Sequence, residues 1–163
     1  MRKSFTERSA ILFAAVLCST LMFGAGQAMA QASINEIRID QPSTDNDEYF
    51  ELFGPSGSSL TGLTYVVIGD GTGVSGVIEA VVDLTGQTIP ASGYFVAAEA
   101  TFTLGAADFV TTLDFENSDN VTHLLVTGFT GSNGDDLDTD DDCVLDVIPW
   151  TGVVDGVALI EEP

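Results

Sequence analysis

Between residues 33 and 160, hydrophobic and polar positions alternate over short runs, which is the period of a half-buried β-strand. Stretches rich in Gly, Pro, Ser, Asn and Asp, the usual turn residues, separate these runs. No window of twelve residues sustains a helical period. Eight strands are predicted, namely Ser33–Asp40, Glu48–Phe53, Leu63–Ile68, Val77–Leu84, Gly93–Ala98, Asp108–Leu113, Val121–Thr127 and Val153–Ile160.

The alternation also predicts which side chains share a face of the sheet. In the first strand, Ile37 and Ile39 fall on one face together with Asn35. In the second strand, Phe50 and Leu52 fall on the same face. Short strands separated by turns at intervals of roughly ten residues predict an all-β sandwich or barrel.

The N-terminus has the three parts of a signal peptide. A basic segment at residues 2–8 precedes an apolar segment at residues 10–24, and Ala28-Met29-Ala30 supplies the small residues of a cleavage site. The apolar segment is shorter than the 20 or so residues that a transmembrane helix needs. We therefore predict a signal peptide over residues 1–30, with retention as an uncleaved anchor as the alternative.

Cleavage would leave a strongly acidic mature chain, residues 31–163. It removes three basic residues and one acidic residue, so the net charge changes from −21 to −23 and Arg38 remains as the single basic residue. Such a surface repels nucleic-acid phosphates and anionic lipids and attracts divalent cations and basic partners. We expect a secreted, cell-surface or periplasmic protein that binds no nucleic acid and has no membrane span in its mature part.

Cys143 is the single cysteine after cleavage, so an intrachain disulfide is excluded. It is expected either to be a small buried residue or to pair with another chain. The chain stops directly after a strand-like run, at Pro163. We expect the domain to be truncated at its C-terminus.

The order of several short motifs resembles the lamin tail domain. The segments that carry this resemblance are Ile34–Ile37, Glu48–Leu52, Leu60–Leu63, Ile89–Val96, Asn117 with Val121–Leu125, and Asp155–Leu159. The resemblance implies an immunoglobulin-like β-sandwich. It also implies the bacterial exported type of the family, in which the domain often accompanies nucleases, phosphatases or other surface modules.

From this resemblance we expect a non-catalytic binding or adhesion module with a protein or cell-surface partner. The alternative is the accessory domain of a secreted metal-dependent nuclease or phosphatase whose catalytic part is missing here. No pairing of a nucleophile with a base, and no cluster of histidines, is visible in the sequence. The protein is therefore predicted not to be an enzyme.

Three other features have structural interpretations that are simpler than catalysis. Glu48 and Glu51 are three positions apart on one strand, so they point to opposite faces and make a poor acid–base pair; one of them caps a turn or pairs with Arg38. The Gly69–Gly73 segment is predicted to be a hairpin turn, because no helix follows to bind a phosphate. His123 is the single histidine and is expected to be structural.

The acidic stretch from Asp135 to Asp146 is the strongest candidate site. Calcium takes six to eight oxygen ligands, mostly carboxylates on flexible loops. The sequence departs from an EF-hand, because Asp141 stands in the place of the glycine and Val147 in that of the final glutamate. An irregular calcium loop is predicted, with the candidate ligands Asp136, Asp138, Asp140, Asp142 and Asp146.

The alternative is a solvated acidic loop without metal. Carboxylates roughly 5–7 Å apart repel by about 0.6–0.8 kcal/mol per pair at the dielectric constant of water. Salt screens part of this repulsion, and an extended loop spreads the charges. A bound cation would remove the remaining repulsion.

Overall fold

Eight β-strands form the regular structure of the protein in a computed structural model, which describes residues 32–39, 46–70, 74–115 and 120–160. The predicted signal peptide, residues 1–30, lies outside the described residues. No described helix is long and apolar enough to span a bilayer. The strands are β1 Ser33–Arg38, β2 Tyr49–Phe53, β3 Leu63–Gly69, β4 Val77–Asp83, β5 Tyr94–Ala98, β6 Phe109–Val110, β7 Val121–Thr127 and β8 Gly152–Leu159.

The strands form two four-stranded sheets with the orders β1-β2-β5-β6 and β4-β3-β7-β8. All pairings are antiparallel except the short parallel contact between β5 and β6. The placement of β1, β2 and β5 in one sheet and of β3, β7 and β8 in the other is that of an immunoglobulin-like sandwich. The predicted all-β fold class is confirmed.

The main hydrophobic core lies between the two sheets. Phe50, Leu52, Tyr65, Phe95 and Leu125 are each at most 1% exposed within it. The rings of Phe50 and Tyr65 stack with their centroids 3.8 Å apart and their planes 3° from parallel. The prediction that Phe50 and Leu52 share one face is therefore confirmed, and each large side chain buried there contributes about 1.5–3 kcal/mol to stability.

A β-bulge changes the facing of β1. The pairing of β1 with β2 shifts register between Ile34 and Glu36, which leaves Asn35 as the extra residue. The Asn35 amide consequently donates a hydrogen bond to the Glu51 carboxylate, at 2.6 Å, and is exposed. Ile37 and Ile39 both pack against the core, so they share a face as predicted. The prediction that Asn35 shares their face was wrong, since simple alternation does not survive a bulge.

The sixth strand is much shorter than the predicted Asp108–Leu113 run. The parallel contact covers only Phe109 and Val110. The Asp108 carboxylate accepts the Val96 N–H at 2.9 Å, so a side chain takes the place of a ladder partner at this edge. Leu113 then turns inward and is 2% exposed. Leu113 and the partly buried Phe109 of this run therefore pack in the core, whereas Val110 is exposed.

A second hydrophobic cluster covers the outer face of the β4-β3-β7-β8 sheet. Its buried members are Val66, Ile68, Ile78, Val126 and Leu137. The first four belong to the sheet, whereas Leu137 comes from the long connection between β7 and β8. We call this connection, residues 129–150, the acidic strap. Its residues Phe129, Leu145 and Trp150 pack against the same cluster. The acidic strap is therefore held against the sheet.

Candidate metal site in the acidic strap

Main-chain hydrogen bonds fix the acidic strap to the start of β4. The Ile78 N–H donates to the Asp135 carbonyl at 2.9 Å, and the Leu137 N–H donates to the Gly76 carbonyl at 3.0 Å. The strap also closes on itself, because the Leu137 carbonyl accepts the Asp146 N–H at 2.7 Å. Leu137 is 1% exposed. One buried leucine thus anchors a loop whose neighbouring residues are mostly acidic.

Asp138 is the most buried carboxylate of the strap, with 2% of its surface exposed. Its Oδ2 accepts the Ser75 hydroxyl at 2.6 Å and the Cys143 N–H at 2.9 Å. Its Oδ1 accepts the Asp142 N–H at 3.1 Å. The Ser75 hydrogen bond, followed by those backbone donors, lowers the pKa of Asp138 below its usual value. The group is therefore held ionised and in one orientation.

The backbone after Asp138 folds around this carboxylate through two left-handed residues. Asp141 has a φ of 55° and Cys143 a φ of 68°. These conformations turn successive N–H groups toward Asp138, which offsets the charge of a buried carboxylate. Cys143 itself is exposed. The prediction that Cys143 is a small buried residue was therefore wrong. Its backbone donates to Asp138, while its side chain lies at the surface. Pairing with another chain stays a prediction.

Three carboxylates of the strap converge. Asp138, Asp140 and Asp146 each offer an oxygen, and these oxygens all lie within 4.8 Å of one another, so the group could hold a metal ion. The Oδ2 of Asp146 accepts both the N–H and the hydroxyl of Thr139, at 2.9 and 2.5 Å. Three of the five predicted ligands therefore lie together, and local hydrogen bonds orient two of these three.

Asp136 and Asp142 lie outside this group and have another role. The Asp136 carboxylate accepts the Asp138 N–H at 3.0 Å, and the Asp142 carboxylate accepts the Val144 N–H at 2.9 Å. Each is a side chain bonding the backbone two residues on, which is the geometry of an Asx turn. These two aspartates shape the loop that carries the other three.

Oxygen is the only donor type in the cluster. Carboxylate oxygens suit hard cations, whereas zinc and copper sites favour imidazole and thiolate. Asp138 already uses three of its roughly four lone-pair positions for hydrogen bonds. The three aspartates therefore supply fewer than the six to eight oxygens that calcium takes, and water would complete the shell. Such a site would bind weakly.

Gly76 is the point at which the hairpin before β4 meets the strap. It has a φ of 76°, and a Cβ added there would stand 2.7 Å from the Cβ of Asp138. We expect Gly76→Ala to lower the free energy of unfolding by more than the 1–2 kcal/mol or so of a left-handed alanine alone, since Asp138 must also move. Chemical denaturation measures this.

Gly134→Ala is the matched control for Gly76→Ala. Gly134 lies in the strap with a φ of 87°, but its added Cβ would meet nothing within 4 Å. Gly134→Ala therefore has the energetic cost of a left-handed alanine without a steric contact of its Cβ. Equal losses of stability in the two variants would show that the contact with Asp138 is unimportant.

The remaining sequence candidates have structural surroundings. Glu48 is 4% exposed and accepts the Phe115 N–H at 3.0 Å, so it secures a neighbouring segment. Glu51 is half-buried, and its side chain lies on the opposite face, where it accepts the amide of Asn35. Residues 70–76 join the antiparallel strands β3 and β4. This antiparallel pairing agrees with the predicted hairpin, and residues 71–73 lie outside the described residues.

His123 is fully buried in the core, in an environment that the sequence did not reveal. Its Nδ1 lies 2.9 Å from the Tyr65 hydroxyl, and its ring forms a T-shaped contact with that of Phe115. Its Nε2 has no hydrogen-bond partner in the part of the chain that the structure describes. Burial lowers the pKa of His123 to about 4. The imidazole is therefore neutral at physiological pH and structural.

Comparisons with protein-family models, with curated proteins and with solved structures gave no match.

Proposed function

We propose that this protein is an exported, non-catalytic binding or adhesion module of the lamin-tail type, with an acidic strap stabilised by calcium. The order of the sequence motifs supports the family, and the two-sheet sandwich is the fold that this family implies. The burial of the single histidine between Tyr65 and Phe115 argues against catalysis by this imidazole, because it has no access to substrate.

The convergence of Asp138, Asp140 and Asp146 carries the calcium proposal. The cluster offers carboxylates on an irregular loop, which suits the variable coordination of calcium better than the strict octahedron of magnesium. Few protein ligands and a mostly exposed position place the expected affinity in the weak range of extracellular modules, at about 0.1–1 mM. Calcium would then bind outside the cell and not at the far lower concentrations inside it.

Calcium is expected to raise the melting temperature of the protein. At ten times the dissociation constant, a ligand bound only to the native state adds about 1.4 kcal/mol, which corresponds to roughly 5 °C for a domain of this size. Thermal unfolding followed by circular dichroism in calcium, in magnesium and in chelator measures the shift. We expect little change with magnesium.

Two double variants test which aspartates of the acidic strap cause the calcium-induced rise in melting temperature. Asp140→Asn/Asp146→Asn should abolish the calcium shift, and it leaves Asp138 to hold the loop. Asp136→Asn/Asp142→Asn removes the same charge from the same strap but should keep the shift, because asparagine also forms Asx turns. Identical melting curves of the unaltered protein in calcium and in chelator would contradict the proposal and would favour a solvated acidic loop.

A further inference from the structure

The outer face of the β1-β2-β5-β6 sheet carries two pairs of aromatic side chains. Phe53 and Tyr94 are 48% and 42% exposed, and their ring centroids are 5.2 Å apart. Tyr49 and Phe102, which lies in the segment after β5, are half-buried and form a second pair with centroids 5.3 Å apart. Aromatic residues are enriched at interaction surfaces relative to the rest of a protein surface. We call these four residues the aromatic stripe.

Charged and polar side chains lie between and beside the two pairs. Glu51 occupies the position on β2 between Tyr49 and Phe53. Glu36 lies beside the Tyr49 hydroxyl, and burial followed by this carboxylate raises the pKa of Tyr49 to about 12. Arg38 pairs in register with Tyr49 and opposes part of this charge. Two carboxylates, those of Glu36 and Glu51, and the guanidinium of Arg38 therefore lie beside the aromatic stripe.

The spacing of the pairs fits an extended polypeptide. Tyr49 and Phe53 are four residues apart on one strand, which corresponds to about 13 Å at 3.3 Å per residue. An extended segment on this face would present its residues i, i+2 and i+4 toward the stripe. The outer two would reach the ring pairs and the middle one would reach Glu51.

The ring orientations and the negative net charge of the chain limit the classes of partner that fit the aromatic stripe. The two ring pairs are tilted by 47° and 61°, so they do not form the flat platform on which a sugar chain stacks. Beyond Arg8, the sequence contains Arg38 as its single basic residue, so a second copy of this chain would be repelled. An anionic partner is repelled for the same reason. A cation, by contrast, is attracted both by aromatic faces and by carboxylates.

We propose that the aromatic stripe binds an extended cationic polypeptide segment with Lys or Arg at positions i, i+2 and i+4. The outer two cations lie over the pairs Phe53–Tyr94 and Tyr49–Phe102, and the middle one pairs with Glu51. This inference rests on the proposed role as a binding module and names the chemistry of its partner. It does not depend on calcium, because the acidic strap lies on the other sheet.

Isothermal titration calorimetry with a synthetic peptide tests the proposal on the full mature protein. The probe is the capped peptide Ser-Lys-Ser-Lys-Ser-Lys-Ser, and the control peptide has the same composition with its three lysines consecutive. We expect the alternating peptide to bind at least about fivefold more tightly, because only it presents all three cations to one face. Binding should weaken as salt is raised.

Matched protein variants separate the stripe from the general acidity of the molecule. Phe53→Thr/Tyr94→Thr should weaken binding about fivefold or more, and Glu51→Gln should weaken it without changing an aromatic ring. Val147→Thr/Ile148→Thr is the control, because those side chains are 46% and 61% exposed on the acidic strap. It should bind the peptide as the unaltered protein does.

Several outcomes would overturn the proposal. The first is equal affinity of the protein for the two peptides. The second is unchanged peptide binding by both stripe variants, which would indicate that the peptide is attracted to the acidic strap. The third is stripe-dependent binding of cellohexaose in place of the peptide. Repeating the titration in calcium and in chelator separates this inference from the calcium proposal. Loss of the thermal shift with intact peptide binding contradicts only the calcium site, and the reverse result contradicts only the stripe.

Discussion

Leu137→Ala is expected to destabilise the protein by about 2–5 kcal/mol, the usual range for truncating a buried leucine. The same change should abolish the calcium-induced rise in melting temperature. Leu137 is 1% exposed and is the one fully buried residue that the acidic strap contributes to the second hydrophobic cluster. Its carbonyl also accepts the Asp146 N–H. Loss of the side chain therefore loosens the loop that brings the three aspartates together.

Urea denaturation of Leu137→Ala and of a control, Ile148→Ala, measures this effect. Ile148 lies in the same strap but is 61% exposed, so its truncation should change stability by no more than about 0.5 kcal/mol. If Leu137→Ala kept a full calcium shift, the aspartate cluster would have to form independently of the anchor, and the coupling described above would be wrong.

Acidification is expected to destabilise the protein through His123. Its folded-state pKa of about 4 lies below the unfolded value of about 6.5, so the unfolded state binds more protons. The stability that this neutral imidazole represents is complete above pH 6.5 or so and is lost as the pH falls toward 4. The difference of pKa corresponds to about 3 kcal/mol. Tyr65 does not titrate in this range, because the ordinary pKa of tyrosine is about 10 and burial raises that of Tyr65 further.

Comparison with His123→Gln isolates this contribution. Glutamine keeps a polar group near the Tyr65 hydroxyl but does not titrate. Groups that titrate in both proteins cancel in the comparison. The stability difference between the two proteins should therefore change with pH between about 6.5 and 4. A stability difference that stays constant over that pH range would contradict the prediction.

Periodicity predicted the sandwich because each strand needs one face in a core. It located β7 at its observed bounds, Val121–Thr127, and it placed Phe50 and Leu52 on one face, which is buried. It failed where the ladder is irregular. The bulge at Asn35 and the side-chain contact of Asp108 with Val96 depend on partners distant in sequence, which alternation within one strand does not contain.

The composition of the candidate site was predictable, but its geometry was not. The alternate aspartates predicted a continuous set of ligands. In the structure, Asp136 and Asp142 form Asx turns and lie outside the group that converges. One signal was present in the sequence. In β3, the four residues Tyr65–Ile68 are hydrophobic without alternation, and such a run indicates a strand buried on both faces. It could have revealed that a segment such as the acidic strap covers the outer face.

The pairing of β3 with β7 has a consequence for the rate of folding. The Tyr65–His123 contact at the centre of the sandwich joins residues 58 positions apart, so the chain must close a long loop before this part of the core forms. Topologies of this kind commonly fold in milliseconds to seconds. During that interval the hydrophobic run of β3 is exposed, and the many aspartates would keep such unfolded chains apart through mutual repulsion. The acidity of the sequence would then protect the protein before it folds.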